Sequence, residues 1–150
     1  MMKTVMKILA GIAILAMIMG AAYATDINNM KVPDGWEATG GGSYHEIGES
    51  TGQGSGQNMM IQKWSDSFKE EFYDNHTDEQ YTVTDTGNNT FMFIDDLNAD
   101  AGSFEVVEID GEKYFVLFTT VDNYDPEEIA DTSLFMQEFN QLNNLHPVEV

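Results

Sequence analysis

Apolar residues recur on both sides of Asp110-Gly111, over residues 104–109 and 112–121. Asp-Gly is a residue pair that the two-residue type I′ turn of a β-hairpin prefers. The register that such a turn dictates predicts these cross-strand pairs: Glu108 with Lys113, Val107 with Tyr114, Val106 with Phe115, and Phe104 with Leu117. Because apolar side chains fall on both faces of this hairpin, we expect its strands to be central and covered on both sides.

Shorter apolar segments predict four more strands, at residues 44–47, 58–62, 81–85 and 91–94. The first two flank the glycine-rich segment 48–56, which is typical of a long hairpin loop. The last two flank Gly87-Asn88-Asn89, which has the residue types of a tight turn. Residues 25–31 have the composition of a polar leader, and Val32-Pro33-Asp34-Gly35-Trp36 predicts a turn followed by an aromatic residue.

Two segments have helical periodicity. Ser67-x-x-Glu70 has the pattern of a capping box that begins a short helix ending near His76, with Trp64, Phe68 and Phe72 as its apolar stripe. The second helix begins at Asp125-Pro126 and ends at Asn143-Asn144. Its apolar face comprises Ile129, Phe135, Met136, Phe139 and Leu142. The order β-β-α-β-β-β-β-α predicts an α+β fold, an antiparallel sheet of about five to six strands with two helices packed on it.

The N-terminus has the layout of a secretory signal peptide. Lys3 and Lys7 precede an apolar run over residues 8–19, and Ala22-Tyr23-Ala24 has the small residues of a cleavage site. We therefore expect a signal peptide over residues 1–24 and a single acidic domain over residues 25–150. An uncleaved membrane anchor is the alternative, and both interpretations place the domain outside the cell, secreted or at its surface.

The composition restricts the function classes. The 150 residues include six Lys, no Arg, 26 acidic residues and no Cys, with a formal charge of −20. Such a charge argues against nucleic-acid binding and against docking on anionic lipid. It favours a soluble monomer. The absence of Cys excludes disulfides, so the fold depends on its core.

Three segments resemble known groups of proteins. Val32-Pro33-Asp34-Gly35-Trp36, the hairpin sequence Val-Glu-Ile-Asp-Gly-Glu-Lys-Tyr and the closing aromatic helix resemble short exported archaeal proteins of unknown function. The order of elements is similar, more distantly, to PsbP-like α/β sandwiches of secreted or lumenal accessory proteins. The resemblance implies an accessory role and supplies no catalytic motif.

The loop after residue 94 contains a candidate calcium site, Asp96-x-Asn98-x-Asp100, to which Asp95 and Glu105 could add ligands. It is not an EF-hand, because Ala101 and Val107 stand where that loop needs Gly and Glu. A solvated acidic loop is the alternative.

Asn75 and Asn88 begin N-glycosylation sequons.

No enzyme motif is visible. His45, His76 and His146 are far apart in sequence and form no zinc-binding pattern. Trp36, Tyr44, Trp64, Phe72 and Tyr73 could line a ligand cleft or belong to the core. Our first hypothesis is a non-enzymatic exported domain that binds an unknown extracellular ligand or protein, or serves as a cell-surface accessory protein. The alternatives are a small hydrolase that uses carboxylates and His45, and a calcium-stabilised structural domain.

Overall fold

Seven antiparallel strands form one sheet in the computed structural model, which describes residues 26–47, 57–74, 80–120 and 125–150. The strands are β1 (Trp36–Gly40), β2 (Ser43–Glu46), β3 (Gln57–Lys63), β4 (Tyr81–Gly87), β5 (Thr90–Asp95), β6 (Asp100–Ile109) and β7 (Glu112–Thr120). The short helix α1 (Asp66–Phe68) continues as a π-helical turn (Lys69–Asp74), and the long helix α2 spans Pro126–Asn143. The α+β class with an antiparallel sheet and two helices is confirmed, with seven strands where about five to six were predicted.

The sheet is built from two consecutive meanders. Its strand order is β1-β2-β3-β7-β6-β5-β4, so β3 at the end of the first meander pairs with β7 at the end of the second. Segment 64–74, with α1 and the π-helical turn, leaves β3 on the way to β4. The central positions therefore belong to β3, β7 and β6.

The strand that sequence reasoning missed is β1. Gly40, Gly41 and Gly42 adopt positive φ angles of 104°, 64° and 79°, and they return the chain from β1 into β2. Glycine tolerates this region of backbone conformation because it has no Cβ. The glycine run is therefore a tight turn between paired strands.

The hairpin β6–β7 has the predicted register. Val107 pairs with Tyr114, Glu108 pairs with Lys113, and the other predicted pairs are also present. Asp110 and Gly111 both have positive φ, as a type I′ turn requires. Because the side chains of a strand alternate between faces, the hairpin contributes to two separate cores, and the prediction that both of its faces are covered is confirmed.

Helix α2 covers one face of the sheet. Met136 and Phe139 pack against Val116 and Phe118 of β7, and Trp36 from β1 joins the same core. The helix begins as predicted, since the Asp125 carboxylate accepts a hydrogen bond from the Glu127 N–H at 2.9 Å. Its predicted apolar face needs one correction. Leu142 is 39% exposed, and Leu145 beyond the helix is buried instead.

The opposite face carries an aromatic core. Phe72 of the π-helical turn contacts Phe115 of β7 with ring centroids 5.0 Å apart, and Phe68 stacks on the same ring at 4.6 Å.

The predicted capping box at the start of α1 is wrong. Ser65 occupies the N-cap without a side-chain capping bond, and its hydroxyl instead contacts the Ser67 hydroxyl at 2.8 Å.

Residues 26–32 are more than a polar leader. Ile27, Met30 and Val32 pack against the core under α2. The Tyr44 hydroxyl accepts a hydrogen bond from the Met30 N–H at 2.9 Å and donates one to the Ile27 carbonyl. This segment is therefore fixed to the sheet.

Among the helices of the described residues, none is long and apolar enough to cross a membrane.

Salt is expected to stabilise this fold. The formal charge is −20, and the described ion pairs with Lys, Lys63–Glu112 and Lys69–Asp74, are exposed. Such exposed pairs add little to the stability, because water and salt screen them. Raising sodium chloride from about 0.01 M to about 0.5 M shortens the Debye length from about 30 Å to about 4 Å, which screens repulsion between carboxylates. We expect the melting temperature to rise, equally in potassium chloride. A fall would contradict this electrostatic interpretation.

Candidate functional site

Two of the three predicted calcium ligands lie at one cleft, and the third lies outside it. Asn98 and Asp100 line a small cleft of about 210 Å³ together with Glu71 and Asp95, whereas Asp96 is exposed and outside its lining. The backbone N–H of Asp96 donates a hydrogen bond to the Gln80 carbonyl at 2.9 Å. Within the described ranges, no group of three or more His, Asp or Glu side chains could hold a metal ion. The calcium site therefore stays a prediction.

Asp95 organises this loop. Its carboxylate accepts hydrogen bonds from the Leu97 and Asn98 N–H groups at 3.0 and 3.1 Å, and from the Asn98 side-chain amide at 2.9 Å. Burial acts to raise the pKa of Asp95, but these bonds and one from Gln80 outweigh it and hold the pKa below its ordinary value. The loop thus has a structural carboxylate at its centre.

The described histidines lie apart. The His45 Nε2 lies 2.8 Å from a Glu37 carboxylate oxygen, and the two residues face each other across β1 and β2. This Glu37 side chain is 55% exposed, so the pair stands at the surface. His146 is exposed in the tail that follows α2, and His76 lies outside the described residues.

Of the two sequons, Asn75 lies outside the described residues. Asn88 is exposed in the turn between β4 and β5, with a φ of 55°.

Among the candidate ligand-binding aromatics, Trp36, Tyr44 and Phe72 are buried. Phe72 and Tyr73 also line an apolar groove of about 290 Å³ with Val83, Asp85 and Phe91.

A different cleft lies where β6 changes its neighbour. Up to Glu105, β6 pairs with β5, whose first residue Thr90 stands opposite Glu105. Two residues later, β6 contacts the tail instead, with Val107 bridging Pro147. Helix α2 passes over this junction, and the cleft of about 390 Å³ opens between α2, the tail and the β4–β5 turn.

Every residue that lines this cleft is uncharged. Side-chain amides and hydroxyls dominate the lining, which consists of Thr86, Gly87, Asn88, Thr90, Ser133, Gln137, Asn140, Gln141, Leu145 and Pro147. The apolar groove and the small cleft at the acidic loop, by contrast, each include at least one carboxylate. We call the uncharged cleft the amide cleft.

A buried carboxyl group lies directly behind the amide cleft. Glu105 is completely buried on the α2 face, and so does not join the acidic loop. Its Oε1 accepts a hydrogen bond of 2.9 Å from the side-chain amide of Asn140, which lines the cleft. Burial raises the pKa of Glu105 to about 8, although this bond acts in the opposite direction. The site therefore combines a neutral polar surface with a carboxyl group that favours its protonated form.

The hydrogen bonds of this pair are incomplete. Glu105 Oε2 and Asn140 Oδ1 are both buried, and neither has a hydrogen-bond partner in the part of the chain that the structure describes. Next to them, the Ser103 and Thr132 hydroxyls, also buried, contact each other at 2.9 Å. A polar row thus runs along β6 beneath α2.

Comparison of this chain with protein-family models, with curated proteins and with solved structures gives no match in any of the three.

Proposed function

We propose that the chain is an exported, non-enzymatic binding protein whose amide cleft holds a small, uncharged polar molecule. The observation that carries this proposal is the composition of the cleft, which is uncharged in a chain of charge −20. Its volume of about 390 Å³ lies within the range of small-molecule sites. Export is part of the proposal because the N-terminal residues have the pattern of a signal peptide.

The lining favours a ligand with several hydroxyl or amide groups. Asn and Gln side chains each offer donors and an acceptor, and Ser and Thr hydroxyls offer both. An anion is disfavoured by the net charge of the chain. A cation would find carboxylates at many places on the surface but none in this cleft. A monosaccharide fits this chemistry.

The positions of the histidines support binding over catalysis. A hydrolase that uses His45 needs this residue beside a carboxylate inside a concave, partly apolar pocket. His45 has a carboxylate neighbour in Glu37, but neither residue lines any of the three clefts described above. His146 is exposed and also absent from these clefts.

A sugar titration tests the proposal. With glucose or N-acetylglucosamine as the probe, we expect amide NMR shifts confined to the parts of the chain that line the cleft, namely the β4–β5 turn, α2 from Ser133 onwards and the tail. Gln137→Ala removes one polar side chain from the cleft, and a hydrogen bond is worth about 0.5–1.5 kcal/mol. The affinity should therefore fall about two- to thirteenfold.

Glu138→Ala is the matched control, because Glu138 is the next residue of the helix, is exposed and lies outside the cleft lining. It should bind the sugar as the wild type does. If neither sugar shifts the cleft amides, or if the shifts lie elsewhere, the proposal is wrong.

A further inference from the structure

The side chains of Glu105 and Asn140 meet edge to edge between β6 and α2. One hydrogen bond joins them, from the Asn140 amide to Glu105 Oε1 at 2.9 Å. Each group also has a buried oxygen, Glu105 Oε2 and Asn140 Oδ1, that has no hydrogen-bond partner among the described residues. Both of these atoms are acceptors when Glu105 is ionised, and burying two unpaired acceptors is unfavourable.

A single proton on Glu105 can satisfy both of these unpaired oxygens. A protonated carboxyl group has one O–H donor and keeps an acceptor oxygen, so it complements a primary amide through two hydrogen bonds. A proton on Glu105 Oε2 would give both unpaired oxygens a partner, and it would remove a buried charge. The environment therefore selects the neutral acid.

We propose that Glu105 and Asn140 form a proton-dependent latch, in which a neutral carboxyl group holds α2 against β6 and its ionisation loosens the wall of the amide cleft. The latch goes beyond the binding role, because it operates whether or not the cleft takes a sugar. Its position is what couples it to the cleft. Asn140 lines the cleft from α2, and Thr90 lines it from the position opposite Glu105 on β5.

The surroundings of Glu105 offer no alternative counter-charge among the described residues. The ionisable residues of α2 and the tail are exposed, namely Glu127, Asp131, Glu138, His146 and Glu149, apart from Glu128, which is half-buried in the first turn of the helix. On β5, β6 and β7 the charged residues stand several positions along the strands from Glu105, namely Asp95, Asp100, Glu108, Glu112 and Lys113. The Tyr73 phenol interacts with Glu105, and burial keeps the pKa of Tyr73 well above its ordinary value.

The latch predicts how the stability depends on pH. In the unfolded chain Glu105 loses its proton near pH 4.5, whereas in the folded protein it keeps the proton up to about pH 8. Between these values the folded state binds one proton more, so its stability falls as the pH rises. Above about pH 8 both states are ionised, and this contribution levels off.

Glu105→Gln isolates this effect. Glutamine can form both hydrogen bonds with Asn140 and has no proton to lose in this range. We expect the unfolding equilibrium constant of the wild type to rise about tenfold per pH unit relative to this variant, between about pH 5 and pH 8. Glu108→Gln is the matched control, because it makes the same substitution at an exposed position of the same strand. It should follow the wild type.

A second measurement needs no substitution. In the wild type, the carboxyl carbon NMR signal of Glu105 should titrate near pH 8, and the amide signals of Gln137, Gln141 and Thr90 should move with the same midpoint. In Glu105→Gln those amide movements should vanish. Parallel stability profiles for the Glu105 and Glu108 variants would overturn the latch. So would titration of Glu105 among the exposed glutamates, or cleft amides that do not respond.

Discussion

Replacing Phe104 with alanine is expected to destabilise the protein by about 3–5 kcal/mol. Phe104 is completely buried at the centre of the aromatic core. Its ring stacks on Phe91 with centroids 5.1 Å apart and contacts Phe72 and Tyr73 at 5.3 Å each. Its neighbours lie on β5, β7 and the π-helical turn, so a cavity there would loosen three elements at once. Urea unfolding monitored by circular dichroism measures the change in free energy.

Leu134→Ala is the control for this prediction. Leu134 is 59% exposed on the outer surface of α2, so truncating it leaves no internal cavity. Surface substitutions of this kind usually change the stability by no more than about 0.5 kcal/mol. Equal losses for the two variants would contradict the assignment of Phe104 to the core.

The central hairpin was predictable because its determinants are local. Asp110-Gly111 fixes the turn, and the turn fixes which residues of β6 and β7 stand opposite each other. The N-cap of α2 at Asp125 is local in the same sense, since the capping carboxylate bonds to an N–H two residues away. For both elements, residues close together in the sequence were sufficient to predict the structure.

Strand β1 was missed because the residues before its glycine turn show no alternation of apolar and polar positions. Only Trp36 among its residues is buried, and the others are exposed, so the strand lacks an alternating apolar pattern. Its membership in the sheet depends on pairing with β2 and on the contact of Trp36 with Phe118 of β7. These partners lie on other strands, and the sequence of β1 alone does not specify them.

The buried carboxyl group was within reach of sequence reasoning. The predicted register places Glu105 opposite Val116, between two of the predicted pairs, on a face that the same prediction covers. A glutamate at a covered position signals an unusual protonation state. Its partner Asn140 could not be identified, because the placement of α2 over β6 depends on tertiary packing. The amide cleft, assembled from β4, β5, α2 and the tail, was unpredictable for the same reason.

Gly102→Ala should destabilise the sheet by about 3 kcal/mol, at the upper end of the usual cost of overpacking. A Cβ at Gly102 would lie 1.9 Å from the backbone carbonyl oxygen of Phe118 on the adjacent strand β7. A backbone atom of a central strand cannot rotate away as a side chain does, so β6 and β7 would have to separate. Urea unfolding measures the loss, and amide exchange along both strands should increase.

Gly41→Ala distinguishes the cost of a steric clash from the cost of an unfavourable backbone conformation. Gly41 has a φ of 64° and open space where a Cβ would lie. An alanine there costs only the strain of left-handed backbone, about 1–2 kcal/mol, and this should leave exchange along β6 and β7 unchanged. Gly102 has the reverse combination, with no positive φ and no space for a Cβ. Gly102→Ala should therefore be the more destabilising of the two. A smaller loss for Gly102→Ala would mean that the β6–β7 pair can separate at little cost.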